Sequence, residues 1–228
     1  MKKETEHMSY AWKHFKTITK HKYIVMQYCF RMGLVGQGLT HDLSKYSPTE
    51  FRAGARYWQG DRSPNNAERE ATGVSNSWLH HKGRNRHHFE YWIDYDLNAK
   101  ELIGGMPIPR KYVAEMIADR IGASTVYLGE KYDDTAPYIY LTKSIDELWF
   151  VHEDVKEQLI YLLAMLAARG EDATMLYIRY VYLHDPEAPW VKPADYESVR
   201  EAAEEKIQSS GTIEKAFSDS EKKGNLMV

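Results

Sequence analysis

The sequence predicts an all-α protein. Three observations carry that expectation. Apolar residues recur at three- and four-residue steps in almost every long segment. Capping residues and glycines mark where those segments start and stop. The one short stretch that could be extended is Tyr138 to Leu141. No repeat and no linker is visible, so residues 1–208 are read as one domain. The segment of about 14–125 holds the polar residues taken up below, 126–208 is expected to be a helical extension, and 209–228 a flexible tail.

The first helix is marked by Ile18, Val25, Cys29 and Met32, a single stripe at steps of seven, four and three, closed by Gly33 and Gly36. Ser47-Pro48-Thr49-Glu50 has the form of a capping box with proline at the first helical position. Phe51, Ala55 and Trp58 give the helix behind it an apolar face. Gly60 to Asn66 reads as a turn, after which Ala71, Val74, Trp78 and His81 continue another stripe. The break from Gly104 to Pro109 opens a helix with Tyr112, Val113, Met116, Ile117 and Ile121. Ser144 with Glu147 marks a start before the stripe Leu148, Val151, Val155, Leu159, Leu162 and Leu166, and Gly170 ends it. A helix is expected over Ala173 to Leu183, and an exposed one over Glu197 to Gln208.

Composition narrows the function. One cysteine among 228 residues excludes an internal disulfide framework and any multi-cysteine zinc site. The net charge of −3 gives no reason to expect a nucleic-acid partner. Met1 to His7 lacks an apolar run behind its charges, and Leu159 to Ala168 falls short of the roughly 18 residues of a membrane helix, so a cytoplasmic protein without a membrane partner is expected. Trp58, Trp78, Trp92 and Trp149 sit at core spacing. Gly33, Gly36 and Gly38 lack the setting of a phosphate loop and read as an ordinary loop.

The informative residues are the ten histidines. His21, His41-Asp42, His80-His81, His87-His88, Glu115 and Asp119 are imidazole and carboxylate donors suited to divalent cations. His21 shares the buried stripe of the first helix, with His14 seven residues earlier as a competitor. Glu115 and Asp119 lie one turn apart, so both can serve an inward site. His184-Asp185 is a second His-Asp pair, but Pro186 follows it, and it reads as a polar helix terminus.

The ordered set, with Thr40 to Lys45 reading Thr-His-Asp-Leu-Ser-Lys and Ala118-Asp119-Arg120 closing a later helix, resembles the HD-domain superfamily of metal-dependent phosphohydrolases. Ser44 stands where that family often has glycine, and Phe89 to Trp92 resemble an uncharacterised bacterial and phage branch of it. The resemblance implies an HD-like helical bundle in which His21, His41, Asp42 and Asp119 hold one metal. It further implies that histidines among His80, His81, His87 and His88 hold a second. The cofactor would be one or two ions of Mn, Fe, Mg, Co, Ni or Zn. The substrate would be a small phosphomonoester or nucleotide-like compound, attacked by a metal-activated water. Asp42 would orient that water, and Lys45 would stabilise the phosphorus centre. Arg84, Asn85 and Arg86 would contact the phosphate. A di-iron oxygenase and a non-catalytic metal-stabilised protein fit the same donors. The later amphipathic helices could form a lid or the face of a homo-oligomer.

Overall fold

A computed structural model of the chain describes residues 2–60, 62–96 and 103–210. It is 72% helical with two short strands among those residues, so the all-α expectation holds. Helix α1 spans Lys2–Arg31, a length made feasible by the absence of Gly and Pro between its ends. Gly33 stops it at φ +83°. The amides of Gly33 and Leu34 return to the carbonyls of Phe30 and Cys29, the paired bonds of a Schellman stop. Its expected stripe of Ile18, Val25, Cys29 and Met32 is buried. His14 and His21 lie buried along the same helix.

Helix α2 (Val35–Thr40) follows; Gly36 and Gly38 are helical, contrary to the loop expected there. A Cβ on Gly38 would sit 3.0 Å from Cys29 Cβ, so α2 can lie against α1 only because that residue is glycine. A 3₁₀ turn (Leu43–Tyr46) leads into α3 (Pro48–Arg56). Two short helices come next, α4 (Pro64–Thr72) and α5 (Asn76–Lys82), separated at Gly73. The continuous stripe expected from Ala71 to Trp78 therefore does not form. Ala71 and Val74 face solvent and Trp78 alone is buried.

A hairpin of β1 (Ile93–Tyr95) and β2 (Ile103–Gly105) precedes α6 (Arg110–Leu128). No apolar–polar alternation in these residues is long enough to announce it. Helix α6 is buried on nearly every side and packs against α1. At Gly122 a Cβ would stand 2.7 Å from Val25 Cγ2 and 3.3 Å from His21 Nδ1. Glycine there is what lets the two helices approach at the level of His21.

Helix α7 (Ala136–Ser144) absorbs Tyr138 to Leu141, which are helical rather than extended. Proline at its second position sets the φ of a first turn, and three side chains of that stretch, Tyr138, Ile139 and Leu141, are buried. Ser144 ends α7 instead of capping the next helix. Helix α8 (Glu153–Arg169) is capped by His152, whose Nδ1 accepts from the amide of Asp154 at 3.2 Å. Trp149 lies in the intervening connection and is 70% exposed, not core. Helix α9 (Glu171–Tyr177) runs into a π-turn (Ile178–Tyr182), and α10 (Tyr196–Ser210) closes on α8 through Tyr196, Val199 and Ala203. One hydrophobic core runs from Val25 through α6 and α8 to Ala203, so the later helices complete the bundle rather than hang from it. No described helix is long and apolar enough to cross a membrane. Ser209 and Ser210, expected to open the flexible tail, are the last residues of α10, and the rest of that expected tail lies outside the described residues.

Candidate metal centre

Five segments deliver the polar cluster. His21 comes from α1, His41 and Asp42 from the corner after α2, His81 from α5, His87 and His88 from the turn behind it, and Asp119 from α6. Asp42 has φ +56°, alone among the described non-glycine residues in the left-handed region. Aspartate tolerates that conformation better than most residues. The corner turns its carboxylate inward, where it is 1% exposed.

The geometry has two halves that meet at Asp42. On one side Oδ2 lies 3.5 Å from His21 Nε2 and 3.4 Å from His41 Nε2. Asp119 Oδ1 lies 2.9 Å from the first imidazole and 3.5 Å from the second, and the two Nε2 atoms are 3.4 Å apart. Four ligands about 2.1 Å from one ion are separated by about 3.4 Å in a tetrahedron, and neighbours in an octahedron by about 3 Å. The observed spacings fall on those values. On the other side Oδ1 lies 3.3 Å from His81 Nε2 and 3.4 Å from His87 Nε2, and His88 Nε2 is 2.9 Å from His81 Nε2. Each set has its donor atoms within 4.8 Å of one another and could hold a cation.

Hydrogen bonding supports the same conclusion. Both oxygens of Asp42, and His87 Nε2, are buried without a hydrogen bond of ordinary geometry. Buried polar atoms are normally paired, so Asp42 Oδ1 and His87 Nε2, which face each other at 3.4 Å, have the chemistry of cation ligands. Lys45 Nζ stands 2.5 Å from Asp42 Oδ2 as an ion pair. Burial disfavours that ammonium, but Asp42 and Asp119 outweigh it and raise its pKa.

Two glutamates hold the imidazoles from behind. Glu115 Oε1 accepts from His41 Nδ1 at 2.9 Å and lies 3.1 Å from His87 Nδ1. One carboxylate therefore fixes a histidine of each half with its Nε2 lone pair inward. Glu50 accepts from His81 Nδ1 at 2.7 Å and from His80 Nδ1 at 2.6 Å. Replacing Glu115 by glutamine is expected to weaken metal binding by about 10- to 100-fold. Competition against a chelating dye measures this, and an unchanged affinity would contradict the assigned role.

Without a cation the charges compensate internally. Burial resists protonation of His41 and His87, but Asp42 and Glu115 prevail and both pKa values rise, with Asp119 adding to the effect at His41. Burial would raise the carboxyls of Asp42 and Asp119, yet adjacent imidazoles, and Lys45 at Asp42, hold both well below the usual range. His88 is driven the other way by burial and by the charges of His87 and His81.

Several residues expected at the site lie elsewhere. His80 does not join the donor groups; it faces Glu50. Arg84 is exposed and donates to the carbonyl of His80. Asn85 is buried scaffolding, donating at 2.8 Å to Ser44 Oγ and to the carbonyl of His81. Arg86 is exposed and bound to the hydroxyls of Tyr91 and Tyr112. None of these three lines the cleft beside the centre. Their position between two histidine pairs suggested a shared direction that the turn there does not preserve. His184 and Asp185 are exposed, as expected of a helix terminus. Glu50 has the sequence position of a capping residue, and Ser47 Oγ does accept from its amide at 3.5 Å, but its carboxylate turns to the histidines. Nothing in the sequence ties position 50 to position 81.

His21, Lys45, His81, His88 and Asp119 open onto a cleft whose lining also includes His14, Trp58 and Tyr127. His14 belongs to this lining and not to the donor groups. A Cβ on Gly54 would fall 2.2 Å from its Nε2, so glycine makes room for the ring. Burial and Lys45 together lower its pKa to about 4.

Fold and site thus define a class: a helical protein with a buried His/Asp cluster of metal-ligating composition and spacing. Residues 10–165 match the model of DUF5662, a family of unknown function, and the chain belongs to that family. No curated protein and no solved structure matches it.

Proposed function

We propose that the chain is a metal-dependent phosphohydrolase of HD type, acting on a small phosphomonoester or nucleotide-like substrate. The observation that carries this reading is Asp42, whose two oxygens face two separate histidine groups, so that it would serve as a ligand in both. Divalent ions held there supply Lewis acidity and lower the pKa of a water toward 7.

The protein's own groups do the rest. His21, His41 and Asp119 would complete one ion's shell, and His81, His87 and His88 the other. Glu115 and Glu50 keep the imidazole tautomers fixed, so no reorganisation is needed when substrate arrives. Lys45 balances the charge of Asp42 at the cleft wall. Burial of His41, Asp42 and His87 takes these groups out of water, which strengthens their electrostatic contacts. The resemblance of Thr40 to Lys45 and of Ala118 to Arg120 to the HD superfamily points the same way.

Elemental analysis of the purified protein, followed by an anaerobic screen of phosphomonoesters and nucleotides with Mn, Mg, Co and Ni, tests the reading. Metal-dependent release of phosphate is the expected result. Two irons per chain with oxygen consumption would replace it with an oxygenase. Metal uptake that raises the melting temperature with no ester turned over would leave a structural metal.

A further inference from the structure

Arg120 follows Asp119 on α6 and lines both the cleft beside the centre and a second cavity that reaches His87, Phe89 and Glu90. The two cavities share His88, Asp119, Arg120 and Tyr140, so the guanidinium stands at their junction beside the metal centre. Its Nε is buried without a hydrogen bond. Its central carbon lies over the Phe89 ring, 5.4 Å from the centroid, a cation–π contact. Glu90 lines the same cavity; its Oε2 is also buried without a hydrogen bond, and its carboxyl lies within electrostatic reach of Arg120 and Lys82. One cavity thus presents a donor and an acceptor that make no hydrogen bond, next to the candidate ligands.

We propose that Arg120 grips the tetrahedral oxyanion of the substrate, a phosphate that spans from the metal centre to the junction of the two cavities. This rests on the metal centre of the reading above, though not on its hydrolytic chemistry. A phosphate has enough oxygens to serve the centre and a guanidinium together, and a protonated one can donate to Glu90. A carboxylate has two oxygens and cannot meet all three demands. The other candidate cations are committed elsewhere: Lys45 to Asp42, Arg84 to a backbone carbonyl, Arg86 to two tyrosines.

The test uses the full chain loaded with Mn²⁺ and inorganic phosphate as the probe, with affinity read by calorimetry and metal content measured in every variant. Arg120→Gln is expected to retain its metal and bind phosphate about 10- to 100-fold more weakly. Arg120→Lys keeps the charge without the two-point fork and should weaken binding by a smaller factor. Arg86→Gln should match wild type. Wild-type affinity in metal-loaded Arg120→Gln overturns the proposal; should that variant not fold, wild-type affinity in Arg120→Lys does so. Metal-loaded wild type that binds no phosphate overturns it as well. Arg120-dependent phosphate binding without turnover of any ester would remove the hydrolase reading and leave this site standing.

Discussion

Asp42→Gly is expected to strip metal from both halves of the centre while leaving the helical fold in place. The position has φ +56°, which glycine adopts freely, so the backbone corner should survive. What disappears is the carboxylate whose Oδ1 and Oδ2 serve different histidine groups. Each group then keeps only its neutral nitrogen donors, with Asp119 left to the first half. The loss should exceed the 10- to 100-fold typical of removing an outer partner of a ligand, and turnover should vanish with it. Asp42→Asn is the companion: asparagine also tolerates the left-handed region, but it carries no charge. Elemental analysis with circular dichroism checks both. Retention of full metal in Asp42→Asn would show that Asp42 is not a shared ligand.

Chelation should lower the melting temperature substantially, and by more at high pH. A cation present at about 1,000 times its dissociation constant stabilises the folded state by about 4 kcal/mol. For a chain of this size that corresponds to about 8–16 °C. The pH dependence follows from the metal-free centre. His41 and His87 have raised pKa values, so their protonated forms stabilise the metal-free fold fully below the unfolded value of about 6.5. That contribution disappears as pH rises through the folded values. Asp42 and Asp119 are depressed; their contribution is present above about 4 and is lost as pH falls through the folded values. A bound cation favours the neutral imidazoles, so it competes with protons and binds more tightly as pH rises. The gap between loaded and chelated protein should therefore widen from about pH 6 to about pH 9. Differential scanning calorimetry across that range measures it. A gap that is constant, or that narrows, would exclude His41 and His87 as ligands.

The parts of the molecule that could be read in advance are those governed by local rules. Ile18, Val25, Cys29 and Met32 mark the inward stripe of α1 because helical spacing and burial coincide there. Gly33 and Gly170 stop helices because a positive φ suits them. Tyr138 to Leu141 misled because aromatic and β-branched residues favour strands only weakly, and the packing of α7 on α8 overrides that preference. Trp149 misled because spacing alone does not tell a helix from the connection before it.

For the centre, local pattern supplies the donors and part of their direction: His21 on the stripe of α1, Asp119 one turn from Glu115 on α6, and the His41-Asp42 pair. That Asp42 turns each oxygen to a different histidine group follows from the packing of the helices. That packing also set His80 against Glu50, left Arg84, Asn85 and Arg86 off the cleft, and placed Arg120 at the junction of two cavities. Those outcomes depend on the angles at which α1, α3, α5 and α6 cross and on one left-handed residue. Close packing of side chains distant in sequence sets such angles, and no local periodicity encodes them.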